Sequence, residues 1–240
     1  MWPALGALSG LLAGSFVATL VLRWPQELAL TGRSRCDACG VQLEARELVP
    51  LLSFAVQRGK CRHCGTAIDH AHPLIEAACA MVGGLALFAL PGFAGFAGAL
   101  LGWCLVALIA LDVAHFWLPD RLTLPLLGLG LVLGPSPLPD RLLAAAVAGG
   151  SFLLLALLYR AVRGREGLGM GDVKLAAALG SWLSLAMLPP LLLLSATLGL
   201  ALVAVGFIRG RRISTETRIP FGACLAAAAF PLWLLLVAGG

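Results

Sequence analysis

Two aspartates stand at the ends of long apolar segments, where an ionisable side chain is costly. Asp172 lies in the run Gly169-Met170-Gly171-Asp172-Val173-Lys174, and Asp112 ends another apolar run sixty positions earlier. A carboxylate at the edge of hydrocarbon marks a functional site by default. Two carboxylates in one partly dry site do not easily both ionise, so one holds a proton while the other deprotonates a water. This pattern predicts the acid–base chemistry of aspartic proteases, carried here on helices.

A second group of reactive side chains consists of two CxxC pairs separated by 21 residues, formed by Cys36, Cys39, Cys61 and Cys64. Pairs at this spacing predict a tetrahedral zinc site with four thiolate ligands. Gly40 and Gly65 follow the pairs directly, where the turn needs a residue free to take positive φ. The alternatives are two disulfides, four unrelated thiols, or His63 as a competing ligand. Four thiolates close the coordination sphere, which indicates a structural ion rather than a catalytic one.

Other polar residues near these sites have two interpretations each. The glycines before Asp172 allow its backbone to approach either a neighbour or a bound strand closely. Lys174 pairs with an acid or extends to the membrane surface. Glu76, at the start of a helix, is either structural or directed at a substrate. His115 follows Asp112 by three residues and either orients it or lies at the membrane interface.

The composition predicts an all-α, polytopic membrane protein. The chain is 60% hydrophobic and 12% charged, with a mean hydropathy of +0.96, whereas a soluble domain has roughly twice that share of charge. Apolar segments long enough to cross a bilayer predict about eight transmembrane helices, near 3–22, 74–92, 97–113, 122–138, 141–160, 173–189, 190–208 and 219–238. The sequence therefore divides into a first transmembrane helix over 1–23, a cytoplasmic zinc-binding loop over 24–73 and a seven-helix region over 74–240.

The basic residues predict the orientation of these helices. Alternating spans place 16 of the 17 basic residues on one side and leave only Arg141 on the other; positive charge favours the cytoplasm. The basic loops lie near 23–73, 113–121, 160–172 and 209–218. Both aspartates then fall at the cytoplasmic ends of their helices. Basic residues spread over four loops, with few aromatics between them, suit anionic lipid headgroups and do not indicate nucleic-acid binding.

Motifs along nearly the whole chain resemble the type IV prepilin peptidases, the bacterial GxGD-type intramembrane aspartyl proteases. The similar segments, in chain order, are Gly14-Ser15-Phe16, the double CxxC loop, Pro73-Leu74-Ile75-Glu76, the run from Asp112 to Pro125, Gly169 to Lys174, and Ile219-Pro220-Phe221-Gly222. A GxGD motif alone is weak, but this set in this order is highly specific. One departure is Ala114, where many members have a further acid that is not one of the two required.

The resemblance implies that Asp112 and Asp172 are the catalytic pair, supported by Gly169, Gly171 and Lys174. It implies prepilin or pseudopilin substrates, cut on the cytoplasmic side after a leader glycine, and a location in the bacterial inner membrane. Many members also methylate the new N-terminus with S-adenosylmethionine, a function linked to the cysteine loop. The sequence does not contain a G-x-G-x-x-G fingerprint that would point to the cofactor site. It leaves open which pilin is the client and whether a pilus or a secretion system is served.

Three alternatives remain beside this assignment. The first is a peptidase without methyltransferase activity. The second is a presenilin-like protease, whose first acid sits in a Tyr-Asp pair; the only tyrosine here, Tyr159, precedes Arg160. The third is a transporter that uses intramembrane acids, but transporters place such acids near the bilayer midplane, on broken and repeated helices.

Overall fold

A computed structural model describes residues 1–28, 30, 32–36, 38–165, 167–210 and 218–239. In these residues the protein is built from α-helices and short 3-10 turns, and the only β pairing consists of two isolated bridges in the cysteine loop. The helices are α1 Trp2–Arg23, α2 Leu52–Val56, α3 Ala71–Ala89, α4 Phe93–His115, α5 Asp120–Leu133, α6 Leu138–Arg163, α7 Met170–Trp182, α8 Leu188–Ile208 and α9 Phe221–Ala238. The all-α class is confirmed.

Every apolar span expected from the sequence corresponds to one helix, while α2 belongs to the cysteine loop. Across the described ranges, six helical segments are long and apolar enough to cross a membrane: Trp2–Gln26, Ala71–Ala89, Phe93–His115, Leu138–Arg163, Leu185–Ile208 and Phe221–Ala238. The other two, α5 and α7, have 14 and 13 residues and are shorter than the expected spans 122–138 and 173–189. Gly134 and Leu183 end them with extended backbone. The fourth basic loop includes Arg211 and Arg212, which lie outside the described residues.

The chain forms two compact units, Met1–Ala107 and Leu108–Gly240, with the boundary inside α4. In the first unit, α1 packs against α3 through Gly6, Gly10 and Gly14. A Cβ on Gly6 would collide with the carbonyl oxygen of Gly83, and one on Gly10 with that of Cys79. Small residues bring membrane helices together because dispersion contacts, not water exclusion, hold them there. These glycines therefore fix how closely α1 and α3 approach.

In the second unit, α7 packs against α5, α6 and α9. Trp182, at the end of α7, is 1% exposed, and its indole N–H donates to the carbonyl oxygen of Leu126 at 2.9 Å. A Cβ on Gly180 would lie 2.5 Å from the carbonyl oxygen of Ala144. The C-terminal end of the short helix α7 is thus held by a close backbone contact and a buried hydrogen bond.

Candidate functional site

Asp112 lies in the last turn of α4 and is only 5% exposed. Its Oδ2 accepts a hydrogen bond from the backbone N–H of Ala223 at 2.7 Å. Ala223 is the third residue of α9, and the first N–H groups of a helix have no partner inside it. The start of α9 thus supplies a free donor to the buried carboxylate. His115 is exposed, and the described hydrogen bond to Asp112 comes from Ala223 instead.

Asp172 is the third residue of α7, which begins at Met170, three positions before the expected span 173–189. Its side chain is half-buried, and Oδ2 accepts the backbone N–H of Gly169 at 3.3 Å. Gly169 is the N-cap residue of α7, and a carboxylate in the first turn also suits the positive end of the helix dipole. Asp172 therefore caps the N-terminus of α7 through Oδ2, while its other oxygen, Oδ1, takes no part in this cap.

Gly222 lies between the two carboxylates. A Cβ built on Gly222 would be 3.0 Å from Asp172 Oδ1 and 3.1 Å from Asp112 Oδ2. The two oxygens are therefore no farther apart than the sum of these distances. The second unit brings Asp112, Asp172 and the start of α9 together, and the glycine at position 222 adds no side chain of its own between the acids.

Leu118 packs over two of the glycines that surround this site. Its Cδ1 would be 2.5 Å from a Cβ on Gly222, and its own Cβ 2.9 Å from a Cβ on Gly171. Gly171 is thus needed for close approach to a neighbouring side chain, one of the two interpretations that the sequence left open. A larger residue at either glycine would therefore collide with Leu118.

Lys174, one turn into α7, forms an ion pair with Asp120 at the start of α5. Its Nζ lies 2.7 Å from both carboxylate oxygens, and the two side chains are 35% and 54% exposed. Pairing with an acid was one of the two expectations for this lysine. The pair joins the start of α5 to the start of α7 beside Asp172, which gives Lys174 a structural role.

The four loop cysteines form one cluster, in which all four Sγ atoms lie within 4.8 Å of one another. The two CxxC pairs form turns of the same kind. Gly40 N–H donates to the Cys36 carbonyl oxygen, and Gly65 N–H donates to the Cys61 carbonyl oxygen, both at 2.9 Å. The two glycines have φ of 70° and 73°, values that favour glycine. The two similar turns, called cysteine knuckles below, thus bring their four thiols together.

The spacing of the sulfur atoms fits a metal ion. The Sγ atoms of Cys36 and Cys64 are 3.9 Å apart, and four thiolates about 2.3 Å from a tetrahedral zinc would be about 3.8 Å apart. Hydrogen bonds from the side chain and backbone of Thr66 lower the pKa of the Cys64 thiol to about 6, which favours the thiolate that binds metal. The cluster is able to hold a metal ion with sulfur ligands.

Glu76 is 7% exposed, and its Oε2 accepts the backbone N–H of Leu51 at 2.8 Å. Leu51 precedes α2 and has a φ of 59°, a strained conformation for a branched residue. The hydrogen bond holds this turn against α3, which favours the structural interpretation of Glu76.

Sequence reasoning did not assign a function to Gly222 or Ala223, although both are close to the carboxylates. The segment Ile219-Pro220-Phe221-Gly222 was noted only among the segments that resemble the family. Proline before a helix start was the available signal, because it marks where unpaired backbone N–H groups are presented. Their contact with Asp112 depends on long-range packing.

Comparisons with known proteins agree with one another. Residues 8–90 match the model described as Bacterial Peptidase A24 N-terminal domain, and residues 99–204 match the Type IV leader peptidase family. A Burkholderia pseudomallei protein named Prepilin leader peptidase/N-methyltransferase is 41% identical over 95% of this chain and 83% of its own length. Proteins of the same name from Stutzerimonas stutzeri and Pseudomonas aeruginosa are 40% and 36% identical, covering 86% and 97% of this chain and 72% and 89% of their own lengths. No solved structure matches.

Proposed function

Because this chain belongs to the type IV leader peptidase family, we propose that it removes the leader peptide from type IV prepilins or pseudopilins. It is a multi-pass protein of the bacterial inner membrane, with six membrane-spanning segments among its described residues. The cut follows a leader glycine on the cytoplasmic side, and the new N-terminal residue is then methylated. The names of the relatives contain both activities, which supports the combination of leader cleavage with methylation.

The proposed catalytic residues are Asp112 and Asp172. The observation that supports them is that an oxygen of each carboxylate lies about 3 Å from the position that a Cβ on Gly222 would take. Two negative charges in one partly buried site repel each other, so one of the two acids holds a proton while the other is ionised. Their apparent pKa values then belong to the pair rather than to either residue.

The ionised carboxylate takes a proton from a water, and the water oxygen attacks the carbonyl carbon of the scissile peptide. The protonated carboxylic acid then gives its proton to the amide nitrogen, and the C–N bond breaks. The products are a leader that ends in a carboxylate and a pilin with a free amine. The Ala223 N–H holds Asp112 in orientation throughout, while Gly169 and Gly171 shape the turn that presents Asp172.

We also propose that the cysteine cluster binds one zinc ion with a structural role. Four cysteine ligands and the spacing of their sulfur atoms support zinc, and four protein ligands leave no position for substrate.

The methyl donor is S-adenosylmethionine. The remaining partners are membrane lipids, with no role for nucleic acid, and both aspartates are proposed to lie near the cytoplasmic face. The division at residues 1–23, 24–73 and 74–240 is retained as a proposal.

The test is cleavage of a purified prepilin by the protein in detergent, with the mass of the product's new N-terminus as the readout. This mass reports cleavage and methylation together. Asp112→Asn and Asp172→Asn are each expected to abolish cleavage while the protein still inserts into the membrane. The matched control is Asp140→Asn, since Asp140 is an exposed acid in the first turn of α6. Robust cleavage by either catalytic variant would overturn the assignment.

A further inference from the structure

The Leu118 side chain forms a third wall beside the two carboxylates, and the proposed cleavage chemistry gives it no role. Among the described residues outside α9, the three heavy atoms nearest to the position of a Cβ on Gly222 are Leu118 Cδ1, Asp172 Oδ1 and Asp112 Oδ2, at 2.5, 3.0 and 3.1 Å. The Leu118 methyl group is therefore closer to this position than either acid. Any group that approaches both carboxylates from this position also meets that methyl group.

The same side chain also contacts the first turn of α7. The atoms of the described residues nearest to a Cβ on Gly171 all belong to Leu118, and the closest is its own Cβ at 2.9 Å. Leu118 Cβ is thus the atom nearest to Gly171, whereas Leu118 Cδ1 is the atom nearest to Gly222. The two contacts can be separated experimentally, because a shorter side chain keeps Cβ and loses Cδ1.

A strained turn places Leu118 at this position. Helix α4 ends at His115, and Phe116 then takes a φ of 51° while its N–H donates to the carbonyl oxygen of Asp112 at 2.9 Å. A positive φ is an outlier for a bulky residue, and residues of this kind persist where the surrounding structure over-determines them, often at active sites. Pro119 restricts the backbone of Leu118 from the other side. The turn ends α4 directly after Asp112 and brings Leu118 back towards the same carboxylate.

The position of Leu118 Cδ1 limits the peptide on which the acid pair can act. A scissile carbonyl reacts when its carbon lies about 3–3.5 Å from the attacking water oxygen, which brings the α-carbon of the same residue close to the carboxylates and to the Leu118 methyl group. A hydrogen on that α-carbon needs no extra space, whereas a methyl group there competes with Cδ1 for the same volume. Discrimination of this kind comes from steric exclusion of the larger substrate rather than from attraction of the smaller one.

Building on the leader cleavage in the proposed function, we propose that Leu118 restricts the last residue of the leader to glycine. Its Cδ1 occupies the space that a side chain on this residue needs. Only a peptide without a Cβ at this residue then brings its carbonyl carbon to the water held by Asp112 and Asp172. Leu118 takes no part in proton transfer, because its side chain is a hydrocarbon. It acts on the choice of substrate, and the two aspartates act on the peptide bond.

The test compares two purified prepilins that differ only at the last leader residue, which is glycine in one and alanine in the other. The kcat/KM of the full-length protein in detergent is measured for each, with product mass as the readout. Leu118→Ala and Leu118→Val both keep Cβ and remove Cδ1. Each is expected to raise the alanine-to-glycine ratio of kcat/KM about tenfold or more, the effect of one methylene group in a tight apolar site. Leu129→Ala, which changes a half-buried leucine in the second half of α5, is the matched control and should keep the wild-type ratio.

The ratio separates a specificity role from a structural one, because misplacement of α7 or α9 slows the cleavage of both prepilins together. An unchanged ratio in Leu118→Ala and Leu118→Val, each shown by gel filtration to be folded, overturns the assignment while leader cleavage stands. Loss of cleavage of the glycine prepilin in both variants also overturns it, since a residue that only excludes bulk is dispensable for the smaller substrate. Equal cleavage of the two prepilins by the wild type would mean that there is no glycine restriction, and the assignment falls. If the wild type cleaves neither prepilin, the proposed function itself is wrong.

Discussion

The backbone N–H of Ala223 donates a hydrogen bond to Asp112 Oδ2 over 2.7 Å, across 111 positions of the chain. The contact joins the end of α4 to the first turn of α9. It also places Gly222, the neighbour of Ala223, between Asp112 and Asp172. The geometry of the acid pair is therefore controlled by a helix that contributes no acid to it.

Gly222→Ala tests this control directly. The added methyl would lie 2.5 Å from Leu118 Cδ1, which must move, and about 3 Å from an oxygen of each carboxylate, so each carboxylate must shift by a few tenths of an ångström. A displacement of about 1 Å from productive geometry costs about a hundredfold in rate. The smaller shift expected here should lower leader cleavage by about tenfold, measured as initial rate on a purified prepilin.

Gly150→Ala is the matched control, since a Cβ at that helical position meets nothing within 4 Å. It introduces the same methyl and the same gain in helix propensity away from the acids, so its cleavage rate should equal that of the wild type. Equal rates in Gly222→Ala and Gly150→Ala would show that the space beside Gly222 does not matter for catalysis.

The Lys174–Asp120 pair is expected to contribute little to stability. Both side chains are partly exposed, and such pairs are typically worth about 0.2–1 kcal/mol because water and salt screen them. A double-mutant cycle of Lys174→Ala and Asp120→Ala, read by thermal unfolding in detergent, should give a coupling energy in this range. A coupling well above it would mean that the pair is more strongly shielded from water than its exposure indicates.

Loss of a cluster cysteine is expected to remove zinc and weaken the loop. Cys36→Ser and Cys64→Ser should each reduce the metal content from about one zinc per chain to near zero and lower the unfolding temperature, because metal binding is part of the folding free energy of small modules. Cys104→Ser is the control, since Cys104 lies singly in α4 and should leave the zinc content unchanged. Metal-free wild-type protein with four freely reactive loop thiols would contradict the zinc assignment.

Much of the fold was accessible from the sequence because membrane helices obey strong local rules. Among the described residues, apolar length gave the approximate position of the eight helices outside the cysteine loop, and the CxxC spacing together with Gly40 and Gly65 indicated the two cysteine knuckles. The same rules overestimated the lengths of α5 and α7, since apolar residues continue past the point where Gly134 and Leu183 turn the backbone.

The candidate site was only partly accessible from the sequence. Asp112 and Asp172 stood out because acids at the ends of apolar segments are rare. Gly222, Ala223 and Leu118 did not stand out, because glycine, alanine and leucine are ordinary residues in such helices. What distinguishes these residues is their tertiary neighbours, which local patterns do not encode.

The glycine contacts between α1 and α3 also bear on the cost of ordering the cysteine loop. The loop leaves the end of α1 and returns at the start of α3, and the antiparallel contacts of Gly6 with Gly83 and of Gly14 with Glu76 hold these two points together. Closing a free loop of this length costs on the order of 3 kcal/mol of chain entropy. Here the packing of α1 against α3 holds the two ends of the loop together before any thiol binds metal. A substitution of Gly10, midway along α1, should therefore lower the zinc affinity of cysteines that it does not contact, as measured by competition with a zinc chelator.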